Sequence, residues 1–321
     1  MKNFLKVFAM SALSALSVAA AEIPPVMIAE QRSAEFAVFD FNKNWLAPSA
    51  KLWSFCPKNE VCLEIPCSSD ADKRPCYALW GAPSDIKCVL NKTHILCVDS
   101  LGGVMLVRME DKKIIWHVYP RNNPHSAELL PDGNVVTASS EGNYLRLYDI
   151  KKFSAADPGA APFKQYLADD PHGVVWDKKR QRLWCSGMFG VSEWKYDAER
   201  GGLENIKTYT LNLTDTVFKD RHQRLHGHDL YPTPDGKLFI TTKSAIYIFD
   251  PDTGKYEMFK ALESIKSCDS VNGKLMLLKP QERWWAEGPL FPDDEDAGKR
   301  CSIFLAKIYK ARFFKNNDFS Y

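Results

Sequence analysis

The fold of this chain is constrained above all by a strand–turn–strand unit that recurs six times. Each copy contains a strand, a short polar break and a second strand, which often ends in an aromatic residue followed by Asp. The copies occupy residues 26–40, 94–108, 135–149, 183–197 and 238–250, and more loosely 274–280 together with 301–309. Their spacing of roughly 35 to 70 residues is typical of β-propeller blades with some insertions.

A shorter strand precedes several copies and completes a four-stranded unit. These strands lie in segments 124–134, 171–182, 227–237 and 266–274, and each closes in a polar turn. The Pro-Asp-Gly and Asn-Gly turns suit hairpins, because Gly tolerates the positive φ that such turns require. The pattern predicts an all-β fold, a six-bladed β-propeller. Seven blades would result if the Cys-rich stretch held another copy, and a β-sandwich would not explain six copies of one unit.

The copy at residues 26–40 lacks a clear preceding strand. We therefore expect the ring to close by pairing strands from the two ends of the chain. Residues 22–321 then form a single propeller domain. Two segments stand outside the repeat, a Cys-rich loop at residues 56–76 and an insertion at residues 280–300 in the sixth blade.

Residues 1–21 have the pattern of a cleavable signal peptide. Lys2 and Lys6 precede an apolar stretch at residues 7–18, and three Ala residues follow at 19–21. The alternative is a membrane anchor, but the apolar run is shorter than the roughly 20 residues that span a bilayer. We expect export to the periplasm or the extracellular space, without membrane insertion.

The charge balance bears on the partners. The chain has 42 Lys and Arg residues against 40 Asp and Glu residues, a formal charge of +2. Nucleic-acid binding normally shows as a clustered basic excess, so we expect no nucleic-acid partner. The expected partner is a glycan or a small-molecule ligand, bound by a monomer.

Four of the nine Cys residues crowd one loop. Cys56, Cys62, Cys67 and Cys76 lack the paired C-x-x-C spacing of structural zinc sites, and no His lies between them, so disulfides are favoured over zinc. Three pairings are open. The other Cys residues lie in apolar strand-like segments and are expected to be buried thiols.

Three His residues open successive inner strands of the predicted propeller, namely His125, His172 and His228. The first strand of each blade lines the central channel, and its direction places all the strand starts at one mouth. We expect the three imidazoles to converge there and to hold a divalent metal ion. The alternative is that each His only forms a hydrogen bond with a neighbouring blade.

Further candidates lie at the same mouth. Lys266 opens the sixth inner strand, and the ends of the second strands contribute Gln31, Asp99, Ser100, Ser140 and Lys243. His226 lies two residues before His228 and can join the rim. The insertion should overhang the mouth and supply Arg283, Trp284 and Trp285 as a lid, because indole rings stack on sugars and Arg binds carboxylates in bidentate fashion. The two Trp residues equally suit a role in covering the blade edge.

Several segments resemble a family of exported bacterial six-bladed β-propeller proteins that is known as a domain of unknown function. The resemblance rests on PHSAELLPDGN, HGVVWD, GHDLYPTPDGK and IKS, followed by WW, and covers nearly all of residues 22–321. It implies the fold, export and a His-lined mouth, and no activity. In layout the mouth is also similar to that of oligogalacturonate lyase, a propeller whose His residues hold a divalent metal next to a uronate. The Cys-rich loop departs from the family pattern.

These observations predict a carbohydrate-active enzyme, a lyase or hydrolase acting on acidic sugars with the help of a divalent metal. His172, Lys243 and Lys266 are the candidate catalytic groups, with either Lys as the base. Arg283 would position the carboxylate, and Trp284 or Trp285 would stack on the ring, with Gln31 and Ser140 lining the site. A metal-free glycosidase and a non-catalytic propeller that binds a glycan or peptide are the alternatives. A calcium-dependent lactonase fits less well, since calcium prefers oxygen ligands.

Overall fold

A computed structural model describes residues 22–60, 76–211 and 226–321. The predicted signal peptide lies outside these residues and stays a prediction. The strands, in chain order, are β1 (Val26–Glu30), β2 (Glu35–Phe39), β3 (Lys51–Phe55), β4 (Pro83–Val89), β5 (His94–Asp99), β6 (Val104–Arg108), β7 (Ile114–Val118), β8 (Pro124–Leu129), β9 (Val135–Ser139), β10 (Tyr144–Tyr148), β11 (Phe163–Leu167), β12 (Gly173–Asp177), β13 (Arg182–Ser186), β14 (Gly190–Asp197), β15 (Gly202–Thr210), β16 (Gly227–Pro232), β17 (Leu238–Thr242), β18 (Ile246–Asp250), β19 (Lys255–Lys260), β20 (Ser267–Val271), β21 (Lys274–Leu278) and β22 (Ile308–Phe313).

Helical structure is short and lies between the strands. Two α-helices are described, α1 (Pro57–Glu60) and α2 (Glu295–Arg300). Four 3-10 turns cover Pro48–Ala50, Cys76–Leu79, Ile150–Lys152 and Pro158–Ala160. No helix in the described part of the chain is long and apolar enough to cross a bilayer.

The strands form an all-β propeller, as predicted. Five antiparallel sheets have four strands each: blade 1 (β22-β1-β2-β3), blade 2 (β4 to β7), blade 3 (β8 to β11), blade 4 (β12 to β15) and blade 5 (β16 to β19). Strands β20 and β21 form a two-stranded sheet that packs between blade 5 and blade 1. Six four-stranded blades are therefore not confirmed.

The ring closes by pairing strands from distant parts of the chain, as expected. Strand β22 pairs with β1 along Val26↔Phe313 to Glu30↔Ile308 and becomes the innermost strand of blade 1. One sequence assignment was wrong in consequence. Residues 301–309 do not form outer strands beside β21, because the chain there returns to the axis to complete blade 1.

The insertion at residues 280–300 covers the open edge of the two-stranded sheet. Backbone hydrogen bonds join Leu277 and Leu290 in both directions, at 2.9 and 2.8 Å. Phe291 and Ala297, which are buried, extend the apolar contact toward blade 1. The segment thus satisfies backbone groups that would otherwise be exposed at a sheet edge.

Apolar packing between neighbouring sheets supplies the core. Six clusters of buried side chains lie in the gaps between adjacent sheets around the ring. Large aromatic side chains fill these gaps, among them Trp80, Trp176 and Trp184, each no more than 2% exposed. The aromatic content of the chain is thus used to fill the wedge-shaped spaces between twisted blades.

A buried ionic network fills the central channel. The guanidinium of Arg312, on β22, donates to Asp85 of β4 at 2.8 and 3.1 Å and to Asp229 of β16 at 2.8 and 3.0 Å. Lys310 donates to Asp229 at 2.9 Å. Burial raises the pKa of Asp85, but Arg312, Lys310 and Lys87 outweigh it and hold that pKa well below its ordinary value.

Further polar contacts continue the network through the channel. Lys87 pairs with Glu128 at 2.8 Å, and both side chains are buried. The Tyr321 hydroxyl donates to the same carboxylate at 2.7 Å. Tyr321 therefore joins the buried network near the end of β8, away from the strand starts.

The cysteines follow the sequence expectations in part. Cys88, Cys97, Cys185, Cys268 and Cys301 are buried free thiols, as predicted. Cys56 is also a free thiol, so the arrangement in which all four loop cysteines pair is not formed. Cys76 is buried. Cys62 and Cys67 lie outside the described residues, and disulfide pairing in this loop stays a prediction.

Removing the guanidinium at the axis should destabilise the fold strongly. Arg312→Met leaves the carboxylates of Asp85 and Asp229 buried with too few cations, which costs about 3–5 kcal/mol of unfolding free energy. Urea unfolding of the full chain measures the loss. The control is Arg108→Met, which breaks the exposed pair with Asp111 and should change stability little. Equal stability of the two variants would contradict a supporting role for the network.

Candidate functional site

Four inner strands begin with the same local irregularity. Strands β4, β8, β16 and β22 each carry a β-bulge near the start, where the pairing register skips Ser84, His125, His228 and Tyr309 respectively. A bulge redirects one side chain away from the regular alternation of the strand. The bulges place these four residues in equivalent positions around the mouth of the channel.

The three predicted imidazoles come together at this mouth. The ring centroids of His125 and His172 are 4.5 Å apart, and the rings are nearly parallel, at 11°. His172 and His228 lie 6.0 Å apart in an edge-to-face arrangement. The convergence of matched positions from three blades, which the sequence predicted, is present in the structure.

Lys266 and Tyr309 complete the cluster. The ammonium nitrogen of Lys266 lies 3.1 Å from His228 Nδ1 and 5.8 Å from the centre of the Tyr309 ring. The Tyr309 ring stacks on His125 with centroids 5.5 Å apart, and its hydroxyl lies 3.3 Å from His125 Nδ1. We call His125, His172, His228, Lys266 and Tyr309 the mouth cluster.

Burial sets the protonation states of the mouth cluster. It lowers the pKa of His172 to about 4, and lowers the pKa values of His125 and His228 well below the ordinary value for His. Burial and the neighbouring Lys310 lower the pKa of Lys266 to about 8. Near neutral pH the cluster therefore holds three uncharged imidazoles and one amine that can lose its proton.

A backbone contact assigns the donor and acceptor atoms of one ring. His172 Nδ1 lies 2.9 Å from the backbone oxygen of Asp170, so Nδ1 carries the proton and Nε2 is an acceptor. The Lys266 amine lies 3.1 Å from His228 Nδ1 and 3.4 Å from Nε2, and the Tyr309 hydroxyl at His125 Nδ1 can donate or accept. As neutral rings, His125 and His228 each carry one N–H donor, and the mouth cluster thus offers two N–H donors in addition to the His172 acceptor.

Two loop residues with positive φ lie beside His172, outside the mouth cluster. Asp170 and His226 both adopt positive φ, at 48° and 44°. The Asp170 carboxylate lies 3.4 Å from His172 Nδ1 and 3.5 Å from His226 Nδ1. Asn143 of blade 3 accepts from the Asp170 backbone N–H at 3.0 Å. Strained residues of this kind persist where the surroundings fix them, and they concentrate at functional sites.

Two of the predicted rim residues are joined. The Trp284 indole N–H donates to Gln31 Oε1 at 3.1 Å, and Gln31 Nε2 donates to the Pro83 carbonyl at 3.1 Å. Trp284 is 44% exposed, so part of its surface is open to a ligand. Gln31 thereby fixes the exposed indole against the start of β4, next to Ser84.

Trp285 and Arg283 differ from this pattern. The Trp285 ring is only 9% exposed, and Lys307 lies 4.5 Å from its centre. Arg283 is exposed, and its guanidinium lies 5.9 Å from the Trp285 ring centre. Trp285 therefore anchors the insertion, which leaves Trp284 as the indole that can stack on a ligand.

Other predicted lining residues have local partners or stand apart. The Ser140 hydroxyl donates to the Asn123 carbonyl at 3.2 Å. Asp99 accepts backbone N–H groups of Gly81, Ala82 and Leu101 at 2.7 to 3.0 Å, which stabilises a turn. The Ser100 backbone N–H donates to the Ala82 carbonyl in the same turn. The Lys243 side chain is exposed. The roles assigned to these residues stay predictions.

Sequence reasoning missed Tyr309 and Asp170. Tyr309 lies at the start of β22, in the position that His residues occupy in blades 3 to 5. Recognising residues 308–313 as the inner strand of blade 1 would have placed it at the mouth. Asp170 lies two residues before His172, and no pattern in the sequence signalled its contact with two imidazoles.

The mouth cluster, as it is arranged here, does not fit a shared metal ion. Imidazole lone pairs lie in the ring plane, and the nearly parallel rings of His125 and His172 do not aim at one point. Within residues 22–60, 76–211 and 226–321 no group of three or more His, Cys, Asp or Glu side chains is arranged to hold one. A metal held by the three His residues stays a prediction that requires the rings to turn.

Two glycines allow the inner strands of blades 4 and 5 to approach closely. A Cβ atom added at Gly173 would lie 2.5 Å from the Leu230 backbone nitrogen and 2.8 Å from Ser186 Oγ. A Cβ atom at Gly227 would lie 3.2 Å from Ser186 Cβ. This close approach of β12 and β16 is what brings His172 within reach of His228.

Comparison with known families identifies one match. The model of DUF6528, described as a family of unknown function, matches residues 27–321. No curated protein matches the chain.

Two solved structures of low sequence identity share the fold, and a third aligns less well. A protein of unknown function from Bacteroides caccae aligns with a TM-score of 0.54 at 9% identity, over 91% of this chain and 98% of its own. A protein from Lactobacillus plantarum aligns with a TM-score of 0.50 at 12% identity, over 88% and 85%. A catalytically inactive virginiamycin B lyase from Staphylococcus aureus, with quinupristin, aligns with a TM-score of 0.48 at 9% identity, over 84% of each chain.

These similarities concern the fold alone. Identities between 9% and 12% carry no activity from one propeller to another. The chain spans 57%, 62% and 56% of the length of three other structures that it matches. Function has to be argued from the mouth cluster.

Acid should destabilise the protein through the mouth cluster. The pKa of His172 falls from 6.5 to about 4 on folding, so between these pH values the unfolded chain binds a proton that the folded chain does not. The contribution of the neutral His172 ring to the free energy of unfolding is intact above pH 6.5 and is lost as the pH falls toward 4. Between pH 6.5 and pH 4 we expect the free energy of unfolding to fall less in His172→Gln than in the wild-type protein, by up to about 3 kcal/mol.

Urea unfolding at a series of pH values measures the effect. His94→Gln, which changes a more exposed ring, serves as the control and should alter the pH dependence less. Identical pH dependence in the wild-type protein and in His172→Gln would show that the His172 ring is not kept neutral by burial.

A methyl group at residue 173 should separate the two inner strands. Gly173→Ala forces the Cβ atom against the Leu230 backbone, and we expect a loss of about 1–3 kcal/mol. Gly202→Ala is the control, because its Cβ atom would meet only Tyr166 OH, at 3.7 Å. Unfolding curves and imidazole NMR signals measure the outcome. Unchanged stability and unchanged His172 and His228 signals would contradict this account of the close approach.

Proposed function

The chain belongs to the DUF6528 family of unknown function, and from the chemistry of its mouth cluster we propose that it binds and cleaves acidic sugars. The proposed reaction is elimination, with Lys266 as the base. The proposal includes export, in keeping with the predicted signal peptide. It also counts β20 and β21 as an incomplete sixth blade, whose inner strand brings Lys266 to the mouth.

One observation carries the proposal, namely an amine without an acidic partner among neutral imidazoles. In the described part of the chain no carboxylate lies within ion-pairing distance of Lys266 Nζ, whereas Lys310 pairs with Asp229 at 2.9 Å. The N–H donors of His125 and His228 are uncharged and need acceptors. This combination suits a ligand that brings its own anionic group.

The carboxylate of a sugar acid supplies the missing anion. Its oxygens accept hydrogen bonds from the two imidazole N–H groups, and because these rings already carry the N–H donors, neither has to be protonated for binding. Arg283, exposed on the insertion, adds a positive charge at the rim. Trp284 offers an open indole face to the sugar ring, held in place by Gln31. Ligand binding thus uses groups from the inner strands and from the insertion.

Elimination then follows from the state of Lys266. Its pKa of about 8 leaves a useful fraction of neutral amine near neutral pH. The amine takes the proton from the carbon that bears the carboxylate. The electron pair forms a carbon–carbon double bond as the bond to the neighbouring glycosidic oxygen breaks, and that oxygen takes a proton from Tyr309 or water. Hydrogen bonds from His125 and His228 stabilise the negative charge that develops on the carboxylate.

A binding protein without catalysis is the second candidate. The low pKa values of the three imidazoles make them poor proton donors near neutral pH, which suits recognition better than acid catalysis. The same mouth would then bind an acidic glycan without changing it.

Turnover of acidic polysaccharides distinguishes the two. The full chain is incubated with polygalacturonate, alginate and hyaluronan, with and without a chelator, and the ultraviolet absorbance of an unsaturated product is followed. We expect product, and we expect Lys266→Met to lower the rate by about 10²-fold or more, because general-base catalysis contributes about that factor.

The controls separate the two predicted bases. Lys279→Met changes an exposed lysine directly after the end of β21, and should leave the rate unchanged. Loss of activity in Lys243→Met, with retention in Lys266→Met, would assign the base to Lys243. Binding of galacturonate without product from any polysaccharide would support the hypothesis of a binding protein without catalysis. Loss of product in the presence of the chelator would support the prediction of a divalent metal ion at the site.

A further inference from the structure

Lys266 has surroundings that differ from those of the other lysines near the axis. Lys310 is fully buried and donates to Asp229 and to the His125 carbonyl, so its charge is satisfied. Lys307 lies over the Trp285 ring. Lys266 instead lies beside a neutral imidazole and a tyrosine ring, and no described carboxylate pairs with it.

We propose that Lys266 is a nucleophilic amine that condenses reversibly with small carbonyl compounds bearing an acidic group, forming an imine at the mouth. The reaction class is carbinolamine and imine formation with 2-oxo acids or aldehyde acids. It goes beyond elimination, because here the nitrogen forms a covalent bond with the ligand rather than removing a proton from it.

Two features of the geometry favour this chemistry. A lysine becomes a nucleophile when it is desolvated or lies next to another cation, since both favour the neutral amine. Lys266 meets both conditions, being largely buried and repelled by Lys310, and its pKa falls to about 8. His228 Nδ1, at 3.1 Å, gives the nitrogen a fixed hydrogen-bond partner and thus a defined orientation.

The reaction balances with the groups at hand. The Lys266 nitrogen bonds to the carbonyl carbon, the nitrogen loses a proton to His228 Nδ1, and the carbonyl oxygen takes up a proton from water to give a carbinolamine. The carbon–oxygen bond then breaks as the leaving hydroxyl takes the proton from His228 and departs as water. The resulting iminium nitrogen gives its remaining proton to the hydroxide that the first water left behind. The net change is one carbonyl and one amine converted to one imine and one water, without an oxidant or reductant.

The ligand class follows from the charge at the mouth. The imidazole N–H groups of His125 and His228 donate hydrogen bonds to an anionic oxygen, as argued for sugar acids. A carbonyl one or two bonds from a carboxylate would then lie near the Lys266 nitrogen. The shared requirement is an acidic group and a reactive carbonyl in one small molecule, and glyoxylate is the simplest probe that has both.

Reductive trapping tests the proposal. The full chain is treated with glyoxylate and cyanoborohydride near the pKa of Lys266, about 8, and the sites of added carboxymethyl groups are read by peptide mass spectrometry. The reductant in the assay converts the imine to a stable secondary amine. We expect Lys266 to be labelled at least about tenfold faster than the exposed Lys243 and Lys279, because more of its amine is neutral at this pH.

Two substitutions and a pH series on the wild-type protein test the proposal even if one of the variants fails to fold. Lys266→Met should remove the fast label while Lys279→Met keeps it, and His228→Gln should slow labelling without abolishing it. In the wild-type protein alone, the labelling rate of Lys266 should rise with pH about a midpoint near 8. Labelling in proportion to exposure, with Lys266 no faster than Lys279, or a midpoint near that of an ordinary lysine, would overturn the proposal.

The result is separable from the elimination assay. Fast labelling of Lys266 without unsaturated product from any polysaccharide would support the nucleophile and contradict the proposed elimination. Unsaturated product that depends on Lys266, without fast labelling, would show that the amine acts only as a base and would overturn the imine.

Discussion

The contact on which the rest of the structure depends is the one between Arg312 and the carboxylates of Asp85 and Asp229. It joins the inner strands of blades 1, 2 and 5 at the axis, across residues that are more than 80 positions apart in sequence. Charges buried this deeply are costly unless every one of them is paired. The network therefore specifies which strands meet at the axis, while the apolar clusters between blades supply most of the driving force for folding.

The same network shapes the chemistry at the mouth. Strand β22 carries Tyr309, Lys310 and Arg312 within four residues, so the closing strand supplies both the stacking partner of His125 and the cations beneath it. Because Lys310 and Arg312 are satisfied by carboxylates within the channel, those carboxylates do not reach Lys266. The amine is left with a cation behind it and neutral rings around it, and this arrangement lowers its pKa.

The repeat made most of the architecture predictable. Local strand and turn patterns located β8, β12 and β16 closely enough to identify His125, His172 and His228 as matched positions, and pseudosymmetry then implied that they meet. The channel charges could not be found this way, because Asp85 and Arg312 lie 227 residues apart and no local pattern links them. Tyr309 was missed for a related reason, since its segment pattern resembles an outer strand until the closure of the ring is known. The roles of Ser140 and Trp285 depend on contacts with Asn123 and Lys307, which no spacing reveals.

The donation of β22 to blade 1 has a consequence for the order of folding. Residues 26–55 emerge from the ribosome first, yet their sheet receives its innermost strand only when residues 308–313 are available. Until then Asp85 and Asp229 have no guanidinium between them, and the intermediate blades surround an unneutralised pair of acids. Completion of the ring and neutralisation of its axis therefore coincide in one late step, which favours all-or-none assembly over the gradual stacking seen in open repeat arrays.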